Sequence, residues 1–204
     1  MTAALFTACY LAAASVLGQN LVPDGGFESD FAHPPYTVSL VNASPEWGTL
    51  DGSTDFFHAS YDICCRTPGN ARGYEVAAEG EGYAGIIAYP ARIGEFLTAR
   101  LASPLQEGAL YEFRFSVSLS ERSEFATDDI GAAFLVAPPA DDLLEEYIYH
   151  VKNEEGRILS DTLGWATVSG YYLAGGGEQY LLLGNLYSRE GGTTVQEMAG
   201  GQDF

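Results

Sequence analysis

Aromatic side chains set in loops are the residues of this chain best suited to hold a ligand. Sugar rings present apolar CH faces that stack on aromatic planes, while Asp, Asn, Gln and Arg bind their hydroxyls. Trp47, Phe56, Phe57, Tyr61, Tyr74, Tyr89, Tyr171 and Tyr172 are available for such a face. Of these, the loop residues Trp47, Tyr61 and Tyr74 are the expected ligand-binding positions. Trp165, Tyr111, Phe113, Phe115 and Phe134 are expected in the core instead.

Carboxylates are abundant, and the segment Tyr74-Glu75-Val76-Ala77-Ala78-Glu79-Gly80-Glu81 gathers three of them. Glycoside hydrolysis needs two carboxyl groups facing each other across the scissile bond. In a chain with 28 Asp and Glu some pair will always qualify, and an acidic loop on an acidic protein reads as solvated surface. The sequence has no Gly-x-Ser-x-Gly elbow, no His-Glu-x-x-His and no glycine loop of the phosphate-cradling kind. The expectation is therefore a non-catalytic protein. His33, His58 and His150 are scattered without metal-ligand spacing, so they do not make a metal site of the adjacent pair Cys64 and Cys65. In an oxidising compartment that pair closes a vicinal disulfide or bonds to other chains; two reduced thiols in a loop are the alternative. Asn42-Ala43-Ser44 matches a glycosylation sequon.

Charge narrows the partners. The 204 residues carry 9 Lys+Arg against 28 Asp+Glu, a formal net charge of -19. Nucleic-acid binding needs clustered Lys and Arg to displace counterions from phosphates, and no window here has such a cluster. Attraction to an anionic membrane surface is disfavoured for the same reason. Divalent cations, neutral ligands such as sugars and basic partners remain compatible. With 47% hydrophobic and 13% aromatic residues, the chain is too rich in core material to be disordered.

Residues 1–18 hold no charged side chain and form an apolar stretch with small residues near its end, followed at once by the polar, turn-rich Gln19-Asn20. This pattern reads as a secretory signal peptide cut after Gly18, with residues 19–204 forming one domain. No later segment is long and apolar enough to span a bilayer as a helix.

The elements that must position any site are strands. In Tyr111-Glu112-Phe113-Arg114-Phe115-Ser116-Val117-Ser118-Leu119, strict alternation puts the apolar side chains on one face and the polar ones on the other. Weaker strands are expected over residues 83–89, 95–101, 130–136, 165–173 and 180–186. Turn chemistry separates them at 104–108, Pro138-Pro139, Glu154-Glu155-Gly156 and Gly175-Gly176-Gly177. Short strands at this spacing predict an all-β antiparallel sandwich. Residues 141–151 are open between a short helix and an extended edge, and residues 27–82 read as long loops around a few short strands.

Asn20-Leu21-Val22-Pro23-Asp24-Gly25-Gly26-Phe27-Glu28 resembles the opening strand of galactose-binding-like jelly-roll modules, the fold of many carbohydrate-binding modules. Thr54-Asp55-Phe56-Phe57, Gly82-Tyr83-Ala84-Gly85, Gly94-Glu95-Phe96-Leu97, Ser116-Val117-Ser118-Leu119-Ser120, Asp129-Ile130-Gly131-Ala132-Ala133-Phe134 and Gly177-Glu178-Gln179-Tyr180-Leu181-Leu182-Leu183-Gly184-Asn185 follow in an order similar to that of N-terminal envelope modules of secreted Bacteroidetes proteins. Such modules are often fused to OmpA-like peptidoglycan-binding or sorting domains.

The resemblance implies a jelly roll at the outer face of the cell envelope or secreted, binding glycan or cell-surface polysaccharide. It also implies a structural Ca²⁺ held by Glu28, with Asp24 as a second candidate ligand. Hard cations of this kind take six to eight oxygens. The partner aspartates would come from a closing strand beyond Gln202-Asp203-Phe204. Without that strand the sandwich is expected to expose an unpaired edge through which it associates. The family's cysteine after the opening Phe-Glu is absent, which makes Cys64 and Cys65 a local substitute. A structural spacer or protein-interaction domain of an outer-membrane assembly is the competing function, and a jelly-roll hydrolase or lyase is the third.

Overall fold

The computed structural model describes residues 18–29, 44–50, 52–61, 64–89, 94–187 and 193–198. The expected signal peptide up to residue 17, Asn42 of the sequon and the chain end at 202–204 lie outside the described residues.

The chain forms thirteen short strands and one 3₁₀ helix among the described residues. They are β1 (Trp47–Thr49), β2 (Asp55–His58), β3 (Gly69–Asn70), β4 (Gly73–Tyr74), β5 (Gly82–Gly85), β6 (Leu97–Arg100), β7 (Leu110–Val117), β8 (Phe125–Thr127), β9 (Gly131–Leu135), β10 (Val151–Lys152), β11 (Ala166–Leu173), β12 (Tyr180–Gly184) and β13 (Val195–Glu197). The 3₁₀ helix spans Asp141–Glu146. Every strand pairing is antiparallel. The main sheet runs β1-β6-β12-β9-β10, and four two-stranded pairs, β11-β7, β2-β5, β3-β4 and β13-β8, complete the fold.

Register explains the core. Trp47 pairs with Ala99, Ala99 with Leu181 and Leu181 with Phe134, so one row of apolar side chains crosses four strands. A second row runs Leu97, Leu183, Ala132, Val151. Both rows belong to the main core, together with Phe56, Phe57 and Phe113 from the facing pairs. The opposite face of the same sheet carries Ala133 and Leu182, which pack with Phe96, Leu186 and Leu144 of the 3₁₀ helix. The sheet is thus buried on both faces, and its strand β12 is apolar at consecutive positions Leu181-Leu182-Leu183. A slip of one residue would exchange the two faces, and each has its own complementary cluster to enforce the register.

The hairpin pair β7-β11 keeps the alternation read from the sequence. Phe113 and Val168 are buried, while Leu110, Glu112, Arg114, Thr167, Ser169 and Tyr171 face solvent. Phe113 meets Phe134 of the main sheet edge-on at 5.3 Å between ring centroids, which fixes one layer on the other. The architecture is an all-β sandwich of antiparallel sheets.

Residues 141–151 divide between the two alternatives left open by the sequence. The 3₁₀ turn buries Leu144, but Leu143 and Ile148 are exposed, so the helical spacing does not continue. The Tyr147 hydroxyl accepts from the Ala140 amide at 2.9 Å, and the chain then extends into β10. No helix among the described residues is long and apolar enough to cross a membrane.

Candidate functional site

Of the three aromatic residues expected to bind a ligand, two lie in the core. Trp47 is 6% exposed; its ring lies 4.8 Å from that of Phe27, and its Nε1 donates to the Asp24 carbonyl at 2.9 Å. Tyr61 is also 6% exposed and packs edge-on against Phe56 at 5.7 Å. Both lose their solvent-facing role to packing. The opening residues 21–27, remote in sequence, cover Trp47, whereas Tyr61 turns back onto β2 just before it. Phe56 and Phe57 are buried as well. Tyr74 behaves otherwise, with 63% of its surface open to solvent.

Tyr74 belongs to a cleft of about 450 Å³ that is lined by Tyr74, Glu75, Val76, Ala77, Ala78, Glu121, Thr162, Leu163, Gly164 and Trp165. Three stretches distant in the chain build it: the end of the β3-β4 hairpin with the loop after it, the loop after β7, and the loop entering β11. Trp165 was expected in the core, but it is only half-buried. Its ring rests edge-on against Tyr83 at 5.5 Å, and its Nε1 donates to the Val76 carbonyl at 2.7 Å. The wall thus holds a fixed indole beside an exposed phenol and the 92% exposed Leu163.

Two carboxylates share this cleft, and each is oriented by hydrogen bonds. Glu121 Oε2 accepts from the Tyr74 amide at 3.0 Å. Glu75 Oε2 accepts from the Ser118 hydroxyl and Oε1 from the Val76 amide. The hairpin itself is pinned from beneath: the Glu75 amide donates to the Pro68 carbonyl at 2.7 Å, Arg122 donates to the Ala71 carbonyl at 2.8 Å, and the Ser120 hydroxyl donates to the Arg72 carbonyl. Under the cleft, burial raises the Tyr83 phenol above its usual range, the bond from Asn70 opposes this, and the charges of Glu75 and Glu121 push it further up.

Gly73 makes room for this arrangement. Its φ of +148° is a conformation that disfavours a side chain, and a Cβ there would overlap the Glu121 carboxylate. Gly73→Ala is expected to lower stability by about 1–3 kcal/mol and to turn Glu121 away from the Tyr74 amide. Chemical denaturation measures the first effect, and the shift of the Tyr74 amide resonance reports the second.

No family model, curated protein or solved structure matches this chain.

The expected calcium ligands occupy the opening segment and bind amides. Asp24 Oδ1 accepts from the Glu28 amide at 2.8 Å and from the Ser29 amide at 3.2 Å, closing a turn in which Asp24 and Phe27 take positive φ. Glu28 Oε1 reaches across to β5 and its preceding loop, accepting from the Glu81 amide at 2.8 Å and the Gly82 amide at 3.3 Å. The two carboxylates therefore staple the opening segment to itself and to β5. Among the described residues, no group of three or more His, Cys, Asp and Glu is placed to hold a metal ion.

Cys64 and Cys65 are joined to each other by a disulfide. The Cys65 carbonyl accepts from the His58 amide at 3.0 Å and the Cys64 carbonyl from the Ala71 amide at 2.9 Å, so the pair links the end of β2 to the hairpin that carries Tyr74.

Trp165 and Glu121 are the site residues that the sequence reading missed. Inward Val168 and Tyr172 put odd positions of β11 on the outer face, and extending that parity backwards reaches Trp165. Glu121 carries no comparable signal, because only the tertiary fold brings it to Tyr74.

Proposed function

We propose that this protein is an exported, non-catalytic module that binds carbohydrate in the Tyr74–Trp165 cleft. The observation that carries the reading is the pairing of a rigidly held indole and an exposed phenol with two oriented carboxylates in one open cleft. Aromatic planes supply stacking area for the CH faces of a pyranose, and carboxylates accept from its hydroxyls. Fixed side chains matter here, because a wall ordered before binding does not have to be ordered by the ligand. The uncharged apolar residues 1–18 support export, and the ordered segments resembling galactose-binding-like modules support the sugar class.

Binding to an immobilised glycan panel tests the reading. Trp165→Ala and Tyr74→Ala are each expected to weaken the captured glycan by about 1–2 kcal/mol, roughly 5- to 30-fold. Trp47→Ala, measured at a temperature where it remains folded, should leave binding nearly unchanged. Binding that survives both cleft substitutions would move the site elsewhere. Turnover of a bound polysaccharide, lost in Glu75→Gln or Glu121→Gln, would place the protein among the enzymes.

A further inference from the structure

We infer that the cleft sorts sugars by charge: it takes cationic amino sugars most tightly, neutral sugars less tightly, and rejects acidic ones. This rests on the carbohydrate reading above. Its basis is what lines the cleft and what does not. Glu75 and Glu121 contribute carboxylates, and no Lys, Arg or His stands among the described lining residues. The arginines of the adjoining segments are engaged elsewhere, Arg72 with the Asp55 carboxylate at 2.8 Å and Arg122 with the Ala71 carbonyl at 2.8 Å.

An ammonium group on a pyranose ring would meet attraction from two directions. The carboxylates are held in place by Ser118 and the Tyr74 amide, so they need not reorganise. The faces of Trp165 and Tyr74 add the ring quadrupole, which favours a cation over the aromatic plane. A uronate or sulfated sugar meets the opposite field in the same place, reinforced by the formal charge of -19 on the whole chain. N-acetylation removes the cation and leaves the stacking surface, which puts neutral sugars between the two.

Titration of the full chain with three tetrasaccharides tests this: β-1,4-linked glucosamine at a pH where its amines are protonated, its N-acetylated counterpart, and galacturonate. The expected order of affinity is glucosamine, then N-acetylglucosamine by roughly tenfold less, with galacturonate undetected. Glu75→Gln/Glu121→Gln should erase the difference between the first two. Glutamine keeps one acceptor oxygen at each position, enough for the Ser118 hydroxyl and for the Tyr74 amide, and gives up only the bond from the Val76 amide. Glu112→Gln/Glu146→Gln removes the same charge from exposed positions away from the cleft and should preserve the preference.

If the Glu112/Glu146 variant erases the preference equally, the attraction belongs to the whole surface and the inference falls. If galacturonate binds as tightly as the N-acetylated sugar, the inference falls while the carbohydrate reading stands. If none of the three binds and the glycan panel is empty, the carbohydrate reading falls and takes the inference with it. If tetralysine outcompetes glucosamine and is lost in the Glu75/Glu121 variant, the cleft is a peptide site and both fall.

Discussion

Trp47→Ala is expected to lower stability by about 4 kcal/mol, whereas Tyr74→Ala stays within about 0.5 kcal/mol of the parent. The two side chains are both loop aromatics by sequence, yet their surroundings are opposite. Trp47 opens the first row across the main sheet, where it is paired with Ala99 and packed against the tilted ring of Phe27. Its removal leaves a cavity, exposes Phe27 and frees the Asp24 carbonyl that its Nε1 satisfies. It also loosens the opening segment, which is further attached through the Ala102 amide to the Leu21 carbonyl at 2.9 Å and through Glu28 to β5. For a protein of this length, a loss of that size corresponds to a fall in Tm of roughly 10 °C. Thermal unfolding of both variants side by side measures the contrast. A Trp47→Ala melting curve that overlays the parent would mean that the indole is not in the core.

That contrast shows what the sequence could and could not convey. Strands with one wet face were legible: β7 follows its alternation residue by residue, because pleat parity is a local property of the backbone. The expected strand at residues 180–186 appears as β12, and Gly175-Gly176-Gly177 falls in the turn before it. The short apolar run Leu181-Leu182-Leu183 was readable as a strand, though its burial on both faces depends on Leu144 arriving from the 3₁₀ helix.

Loop aromatics were not legible in the same way. Whether Trp47, Tyr61 or Tyr74 faces water depends on what packs over it in the folded chain, and neither composition nor spacing encodes that. The cleft shares this property: Tyr74 at the end of β4 meets Glu121 and Trp165 from two distant loops, and for these two only the outward parity of β11 hints at Trp165. The carboxylates of Asp24 and Glu28 accept from amides of the opening turn and of residues 81 and 82. The positive φ of Gly80, where a Cβ would overlap the Glu28 carboxylate, is the local trace of that docking.

Glu178→Ala is expected to lower stability by about 2 kcal/mol at neutral pH, because it removes the one carboxylate that gathers three part-buried donors. Glu178 is 5% exposed. Its Oε1 accepts from the Tyr172 hydroxyl at 2.6 Å and the Gly175 amide at 2.7 Å, and its Oε2 accepts from the Gly176 amide at 2.9 Å. These bonds fasten the turn between β11 and β12, where Gly176 and Gly177 both take positive φ. Burial by itself raises the carboxyl, but the hydroxyl and amide donors together outweigh it and hold the group below its usual value of 4.5.

A depressed folded value means that the folded state binds the proton less readily than the unfolded chain, so the contribution is whole above about pH 4.5 and is lost as pH falls towards the folded value. His150, packed on Tyr172 with ring centroids 4.5 Å apart, acts in the same direction over a higher range. Burial lowers it below its usual 6.5, the charge of Glu178 partly opposes this, and its Nδ1 accepts from the Phe134 amide at 2.9 Å. Acidification from about pH 6.5 therefore charges the unfolded imidazole first and erodes stability before Glu178 titrates.

Unfolding free energies of the parent and of Glu178→Gln, followed from pH 7 downwards, separate the two groups. Glutamine keeps one acceptor but cannot titrate, so the gap between the proteins should persist through the His150 range, where losing the Glu178 charge can only widen it, and close below about pH 4.5. A gap that is independent of pH down to the acid limit would mean that Glu178 gains nothing from being ionised. The Tyr172 hydroxyl and the two glycine amides would then lack the electrostatic role that the short distances assign to them.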